Sequence, residues 1–155
     1  MWQSKYIHDE HICQCAYNRN VAKANSFDIA RFFQALGDRT RLRILNLIGD
    51  QEVCVCYFVQ VLNESQPKIS RHLAYLRNAG VVSTRRDGKW MHYRIATPPS
   101  DGAATVLTQA LAWLADQPEM QRDRKRLESA CCAPQKYVTL QGAPPPTPVR
   151  IENRA

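Results

Sequence analysis

No apolar run in this chain approaches the ~20 residues that a helical membrane span requires. The opening stretch, MWQSKYIHDEHICQCAYN, has no apolar segment of the kind a secretory signal is built on. There is no glycine-rich phosphate loop and no constellation of nucleophile and base, so the sequence gives no support to an enzyme. The expected location is therefore the cytoplasm. There the six cysteines would stay reduced, and their clustering points to metal binding or thiol chemistry, not a disulfide framework. Acidic residues are scarce in one place above all. Between Gln66 and Ile95 there is a single acid, Asp87, against seven basic residues: Lys68, Arg71, Arg77, Arg85, Arg86, Lys89 and Arg94. Elsewhere, fourteen basic and thirteen acidic residues nearly cancel. A local basic face on an otherwise balanced chain is the electrostatic footprint of a phosphate binder.

The length of 155 residues fits one domain with tails, and a hydrophobic content of 45% is enough for a packed core. Residues 1–25 show neither helical nor strand periodicity and read as a flexible arm. From Ser26 the period becomes helical, with Ile29, Phe32, Phe33 and Leu36 on one stripe and Gly37 as the stop. Asp38 is placed to cap a second helix whose apolar face is Leu42, Leu45 and Ile48, widened by Ile44 and Leu47. A short third helix is expected from about Val53 to Leu62, then a turn at Asn63-Glu64-Ser65. Ser65 is positioned to cap a fourth helix with Pro67 in its first turn, Ile69, Leu73 and Leu76 buried, and Gly80 as a left-handed stop. Val81–Arg85 and Trp90–Ile95 are strand-like and flank Asp87-Gly88, a two-residue hairpin signal. A long helix follows from about Asp101, with Pro118 placed to kink or split it. Beyond Ala133 stand five of the nine prolines, and 133–155 reads as a disordered tail.

Two helices joined by a short turn and followed by a basic hairpin describe a winged helix-turn-helix, mainly α with a β-hairpin wing, spanning 26–132. The second helix of such a pair enters the major groove with its N-terminal residues towards the bases. Here those residues are Gln66, Lys68, Ser70, Arg71 and His72, of types suited to base edges and phosphates. Arg85, Arg86 and Lys89 of the wing are placed to follow the phosphate backbone. The partner is double-stranded DNA. In front of this element stands Cys54-Val55-Cys56. Thiolates bind soft metals and metalloids, so the order along the chain describes a switch: ligand on the thiols, DNA off the reader.

Four stretches carry a resemblance. They are Phe33-Gln34-Ala35-Leu36-Gly37-Asp38-Arg39-Thr40-Arg41-Leu42-Arg43-Ile44-Leu45, Glu52-Val53-Cys54-Val55-Cys56, Gln66-Pro67-Lys68-Ile69-Ser70-Arg71-His72-Leu73 and Arg86-Asp87-Gly88-Lys89-Trp90-Met91-His92-Tyr93. With these, Phe27 to about Leu114 resembles the ArsR–SmtB family of metal-responsive bacterial repressors. The resemblance implies a homodimer built on the first and last helices, an inverted-repeat operator, arsenical resistance as the regulated trait, and repression released by metal. Phe32, Leu107, Leu111 and Leu114 are the candidate dimer contacts.

The resemblance also matches Cys54 and Cys56 to the family's inducer cysteines and implies As(III) or Sb(III) as inducer. On a straight helix residues i and i+2 lie ~200° apart, so joint ligation is expected to unwind the first turn of the third helix. Arsenic-responsive members carry a third Cys just after the pair. Tyr57, Phe58 and Val59 stand there instead, which makes Cys131-Cys132 the candidate replacement or an independent site. A two-thiol site would also suit an organic arsenical, in which carbon already occupies one bond. Cadmium- and lead-sensing relatives add N-terminal cysteines, so Cys13 and Cys15 with Cys54 and Cys56 form the alternative set for Cd(II) or Pb(II). The zinc and nickel sensors place His on the last helix, and Asp101–Glu128 contains none. A further alternative is a redox sensor using either cysteine pair, with Arg122, Arg124, Lys125 and Arg126 near the second.

Overall fold

The computed structural model describes residues 27–149. The arm with Cys13 and Cys15 lies outside them. Among the described residues six α-helices and four short strands follow in order: α1 (Ile29–Leu36), α2 (Arg39–Ile48), β1 (Gln51–Cys54), α3 (Val55–Leu62), α4 (Gln66–Asn78), β2 (Val82–Asp87), β3 (Trp90–Ile95), α5 (Asp101–Ala115), α6 (Pro118–Cys132) and β4 (Thr147–Pro148). Among the described residues no helix is long and apolar enough to cross a membrane.

The helix starts follow local chemistry. Asp28 and Asp38 each stand in extended backbone and accept the N–H three residues on, from Arg31 at 3.0 Å and Arg41 at 2.9 Å. This satisfies one of the orphan donors of a helix N-terminus. Ser100 does the same for α5. Ser65 occupies the cap position of α4, but its hydroxyl makes no capping bond. Pro67 relieves that end by removing one of the donors that would otherwise want a partner. Gly80 follows α4 with φ +71°, the left-handed stop that its position called for.

α3 and α4 form the helix-turn-helix. Their inner faces, with α2, enclose Ile44, Leu45, Ile48, Tyr57, Phe58, Ile69, Leu73 and Leu76, all fully buried. β2 and β3 form the wing. Its loop proper is Gly88-Lys89, one residue later than expected, because Asp87 pairs with Trp90. Gly88 takes φ +56° and Lys89 does not, the arrangement in which glycine leads a two-residue hairpin loop.

Two expectations are corrected. The segment 51–54 is a strand, not the start of α3. It hydrogen-bonds antiparallel to β3, giving the sheet order β2-β3-β1-β4. The long C-terminal helix splits at Pro118, one of the two outcomes its position called for, because Pro118 takes the first position of α6, where its missing N–H has no cost. The stretch after Ala133, expected to be disordered, is folded over its described part. It makes two single-turn 3₁₀ helices (Pro134–Lys136 and Val138–Leu140), and β4 then pairs with β1. Leu140 supplies the reason: it is 1% exposed and packs into the core.

α6 is anchored to α2 by polar contacts. Arg43 donates to both carboxylate oxygens of Asp123, at 2.6 and 2.8 Å, and Asp123 is 1% exposed. Asn46 donates to the Met120 carbonyl at 3.0 Å and accepts from Arg124 at 3.1 Å.

Candidate nucleic-acid interface and thiol site

The exposed positions of α4 are Gln66, Pro67, Ser70, Arg71, Tyr75, Arg77 and Asn78, and those of the wing tip are Arg85 to Lys89. The apolar positions of α4 are consumed by the core, so its first two turns present polar and basic groups outward. Not every residue expected to read DNA is equally free. Gln66, Ser70 and Arg71 are exposed. Lys68 is ion-paired with Glu64 one turn earlier, at 2.7 Å. His72 turns towards the start of α2, its Nδ1 3.4 Å from Asp38 Oδ1. Burial lowers its pKa below the ordinary imidazole value, Asp38 opposing, which disfavours the charged imidazolium there.

On the wing, Arg85 is committed to carboxylates of its own chain. It donates to Glu52 Oε1 from Nε at 2.8 Å and Nη2 at 2.6 Å, and its Nη1 lies 3.3 Å from Asp87. Glu52 is in β1, so this ion pair fastens the wing to the strand that carries Cys54. Arg86 donates to the Gly88 carbonyl at 3.0 Å and stays exposed. Lys89 stands 4.8 Å over the ring of Trp90.

Arg41 was missed by sequence reasoning. It stacks 4.4 Å over Tyr75 of α4, donates to the Ala35 and Gln34 carbonyls that end α1, and lines a hollow of ≈ 300 Å³ with Lys68, Arg71 and His72. The basic run Arg39-Thr40-Arg41 was the available signal. Arg41 braces the reader against α1 and α2.

The thiol pair sits at the junction of β1 and α3. Cys54 is the last residue of β1 and the cap position of α3, with φ −71° and ψ +143°. Cys56 is one residue inside the helix. Extended backbone at Cys54 swings its side chain round to the side of Cys56, and the two Sγ atoms stand 3.2 Å apart. The expectation that helix geometry holds them on opposite faces is overturned, because only one of them is helical. Cys54 is fully buried and Cys56 half-buried, and both are free thiols.

The pair is electrostatically asymmetric. The Cys54 thiol is lowered to about 7. The hydrogen bond from Cys56 is the largest cause, and backbone N–H groups of Cys56, Met91 and Val55 add to it against the cost of burial. Cys56 is correspondingly raised, by its hydrogen bond to Cys54, by burial, and by repulsion from the Cys54 charge. One thiolate at neutral pH, shared by two sulfurs, is the state this junction favours.

Cys131 and Cys132 end α6, the first half-buried and the second exposed. Burial raises the Cys131 thiol, and Cys132 and Glu128 raise it further. The described residues of one protomer do not bring this pair together with Cys54 and Cys56. Among them no group of three or more His, Cys, Asp or Glu side chains is placed to hold one ion. Tyr57 feels both pairs: its phenol is raised by burial first, then by Cys131, Cys54 and Cys56, and among the described residues its hydroxyl has no hydrogen-bond partner.

The candidate dimer contacts also change. Phe32, Leu107 and Leu114 are 1%, 2% and 7% exposed within the protomer, so they belong to its own core. The large apolar side chains left outside on these two helices are Ile29 and Phe33 on α1 and Val106 and Trp113 on α5; elsewhere among the described residues Tyr75 and Val138 are also exposed.

Comparison with known proteins agrees with this geometry. The sequence profile described as "Bacterial regulatory protein, arsR family" matches residues 38–84, from the cap of α2 into the first wing strand. The chain is similar to the "Arsenical resistance operon repressor" of Escherichia coli (strain K12), 39% identical over 104 residues, which are 66% of this chain and 87% of that protein. It is also similar to the "Arsenic resistance transcriptional regulator ArsR2" of Pseudomonas putida, 40% identical over 108 residues, covering 64% of this chain and 94% of that protein. Among solved structures, HlyU from Vibrio cholerae N16961 superposes with a TM-score of 0.50 at 29% identity, over 62% of this chain and 100% of that one.

Proposed function

We infer the function of this chain from one premise: it belongs to the arsR family of bacterial regulatory proteins. It is a transcriptional repressor of that family. It binds an operator as a homodimer, with α4 in the major groove and the wing along the phosphates, and As(III) or Sb(III) releases it by capture on Cys54 and Cys56. The observation that carries this reading is the 3.2 Å separation of the two sulfurs at the β1–α3 junction. α3 packs on the reader α4, and β1 pairs with wing strand β3 through Val53↔Tyr93 and Cys54↔His92. A single atom bound at the junction therefore touches the supports of both DNA-facing elements.

Capture replaces a shared proton by two covalent bonds to sulfur and fixes the angle between β1 and α3. A ligand shifts an equilibrium only by its differential affinity for two states. The fixed junction must then belong to the DNA-free arrangement of reader and wing. Thiolates suit soft trivalent ions, and the lowered thiol of Cys54 supplies the first nucleophile near neutral pH.

The test is an operator shift assay titrated with arsenite and antimonite. Cys54→Ser/Cys56→Ser should bind the operator like the parent and fail to release, since Ser keeps size and polarity but holds soft ions poorly. Full release from that variant sinks the reading. Cys131→Ser/Cys132→Ser separates the two sites: retained release leaves Cys54 and Cys56 as the sensor, and lost release with a responsive Cys54/Cys56 variant moves the sensor to the end of α6. The same short contact favours one second reading, oxidation of the pair. It requires peroxide to release the parent but not the Cys54/Cys56 variant.

A further inference from the structure

We propose, resting on Cys54 and Cys56 as the ligand thiols, that the hollow beside Cys56 holds the carbon substituent of a monosubstituted trivalent arsenical, R–As(OH)2. Such a compound, with an aromatic R, is then preferred over inorganic arsenite. Trivalent arsenic makes three bonds. Two go to sulfur here, and no third thiol, imidazole or carboxylate among the described residues is placed to complete the set. The third bond must carry something the ligand brings: hydroxide in arsenite, carbon in R–As(OH)2.

The surroundings decide between them. Cys56 opens into a hollow of ≈ 240 Å³ whose apolar walls are Val55, Val59 and the indole of Trp90. Gln66, the first residue of α4, and Thr139 stand at its rim. A hydroxide turned onto the apolar walls, away from the polar rim, would give up water for no hydrogen bond, whereas a ring or methyl group gains by leaving water. The remaining rim residue, Lys89, lies over the indole. The wall on the Thr139 side is built in place. Thr139 donates to Gln60 Oε1 at 2.6 Å, and the neighbouring Leu140 is buried in the core. The hollow thus lies between the start of the reader and the wing, so a group seated there touches both.

The step is a ligand exchange without redox change. Two As–O bonds break and two As–S bonds form. The two departing hydroxides leave as water, one with the proton that the thiol pair shares and one with a proton from solvent, and arsenic stays trivalent.

The test uses the full chain and three probes: arsenite, methylarsenous acid and phenylarsine oxide in its hydrated form. Each is measured in competition with dithiothreitol, which offers two thiols and no hollow. Relative to dithiothreitol, the phenyl compound should bind the parent about tenfold tighter than arsenite does, with methyl between, an excess comparable to burying roughly two methylene groups. Val59→Phe, which fills the hollow, should remove that excess and leave arsenite unchanged. No excess in the parent, or an excess that survives Val59→Phe in a folded variant, overturns the proposal. The ligand series on the parent decides alone if that variant does not fold. If Cys54→Ser/Cys56→Ser binds all three probes as the parent does, the thiol reading itself has failed. If it loses all three while the parent shows no preference for phenyl, only the hollow has.

Discussion

Cys54 and Cys56 owe their closeness to the change of backbone between them, and their acidity to the same junction. Because they share one proton near neutral pH, folding takes up and releases protons in a defined pattern. Between about 7, where Cys54 ionises in the fold, and the ordinary thiol value of 9.0, the unfolded chain binds more protons than the folded one. Stability contributed by the pair therefore rises across that window and is lost as pH falls through about 7. Above 9.0 the sign reverses, because the raised Cys56 keeps a proton that the unfolded chain gives up. Near-ultraviolet thiolate absorbance, parent minus Cys54→Ala, should show a midpoint near 7, and Cys56→Ala should move the Cys54 midpoint upward. An unshifted midpoint in Cys56→Ala would remove the shared proton from the account. The sequence marked the thiol pair as a candidate but not how it sits, since i and i+2 spacing means opposite faces only if both residues are helical. β1 escaped notice because Gln51–Cys54 is too short for alternation to register, and its strand character comes from pairing with β3. The arginines divide in the same way. Charge counting marks Arg71 and Arg85 alike, yet only Arg71 is exposed without an ion pair among the described contacts. Arg71→Ala should weaken operator binding and, where it contacts phosphate, reduce the salt slope by about one. Arg85→Ala should act chiefly by freeing β1 from the wing and stranding Glu52. The check is the salt dependence of affinity for both variants, together with urea unfolding.

At the scale of elements, the segment after α6 changes what the sequence implied about the thiol site. Proline content argued for disorder, and the helix stripes before Ala133 offered a complete domain without it. What composition could not show is that Leu140 and Ala143 find buried positions against the core. Nor could it show that β1 leaves an edge open. β4 takes that edge with Gln51↔Pro148 and Glu52↔Thr147, and the Val149 N–H donates to the Asp50 carbonyl at 2.9 Å. Proline is tolerated there because an edge strand need not donate on its outer side. The strap therefore holds both sides of the junction, β1 through β4 and α3 through the 3₁₀ turn at Leu140. Leu140→Ala should cost about 2–5 kcal/mol in urea unfolding, the range for truncating a buried leucine. Removing 134–155 should cost more, because the pairing with β1 goes as well. Wild-type stability in both variants would mean that the strap is not bound in solution. The helix-turn-helix, by contrast, was legible almost residue by residue. Ile69, Leu73, Leu76 and Gly80 fix α4 by period and stop signal, and both are local properties.

For the whole molecule, the excess of basic charge and most of the large exposed apolar side chains stand in two different regions. The basic residues gather on α4 and the wing, while Ile29, Phe33, Val106 and Trp113, exposed by 64%, 54%, 38% and 71%, stand on α1 and α5. Single exposed apolar residues need no explanation, but a cluster on two helices does. Phe27, Phe32 and Phe33 of one side and Ala103 and Val106 of the other line a hollow of ≈ 250 Å³ between α1 and α5, so the surface is continuous across the two. A second copy of the same surface would cover it, and the two readers would then face successive half-sites of a palindrome. Phe33→Asp/Trp113→Asp places a charge on each helix without touching the buried core, so the protomer should keep its fold by circular dichroism. Sedimentation at micromolar concentration should show a dimer for the parent and a monomer for the variant. Operator affinity should then fall by roughly 10²–10⁴, because the second reader no longer binds at the effective concentration that linkage provides. A variant that stays dimeric places the interface elsewhere. A monomer that binds the full operator like the parent means that one protomer reads the site alone, and the symmetry argument fails with it.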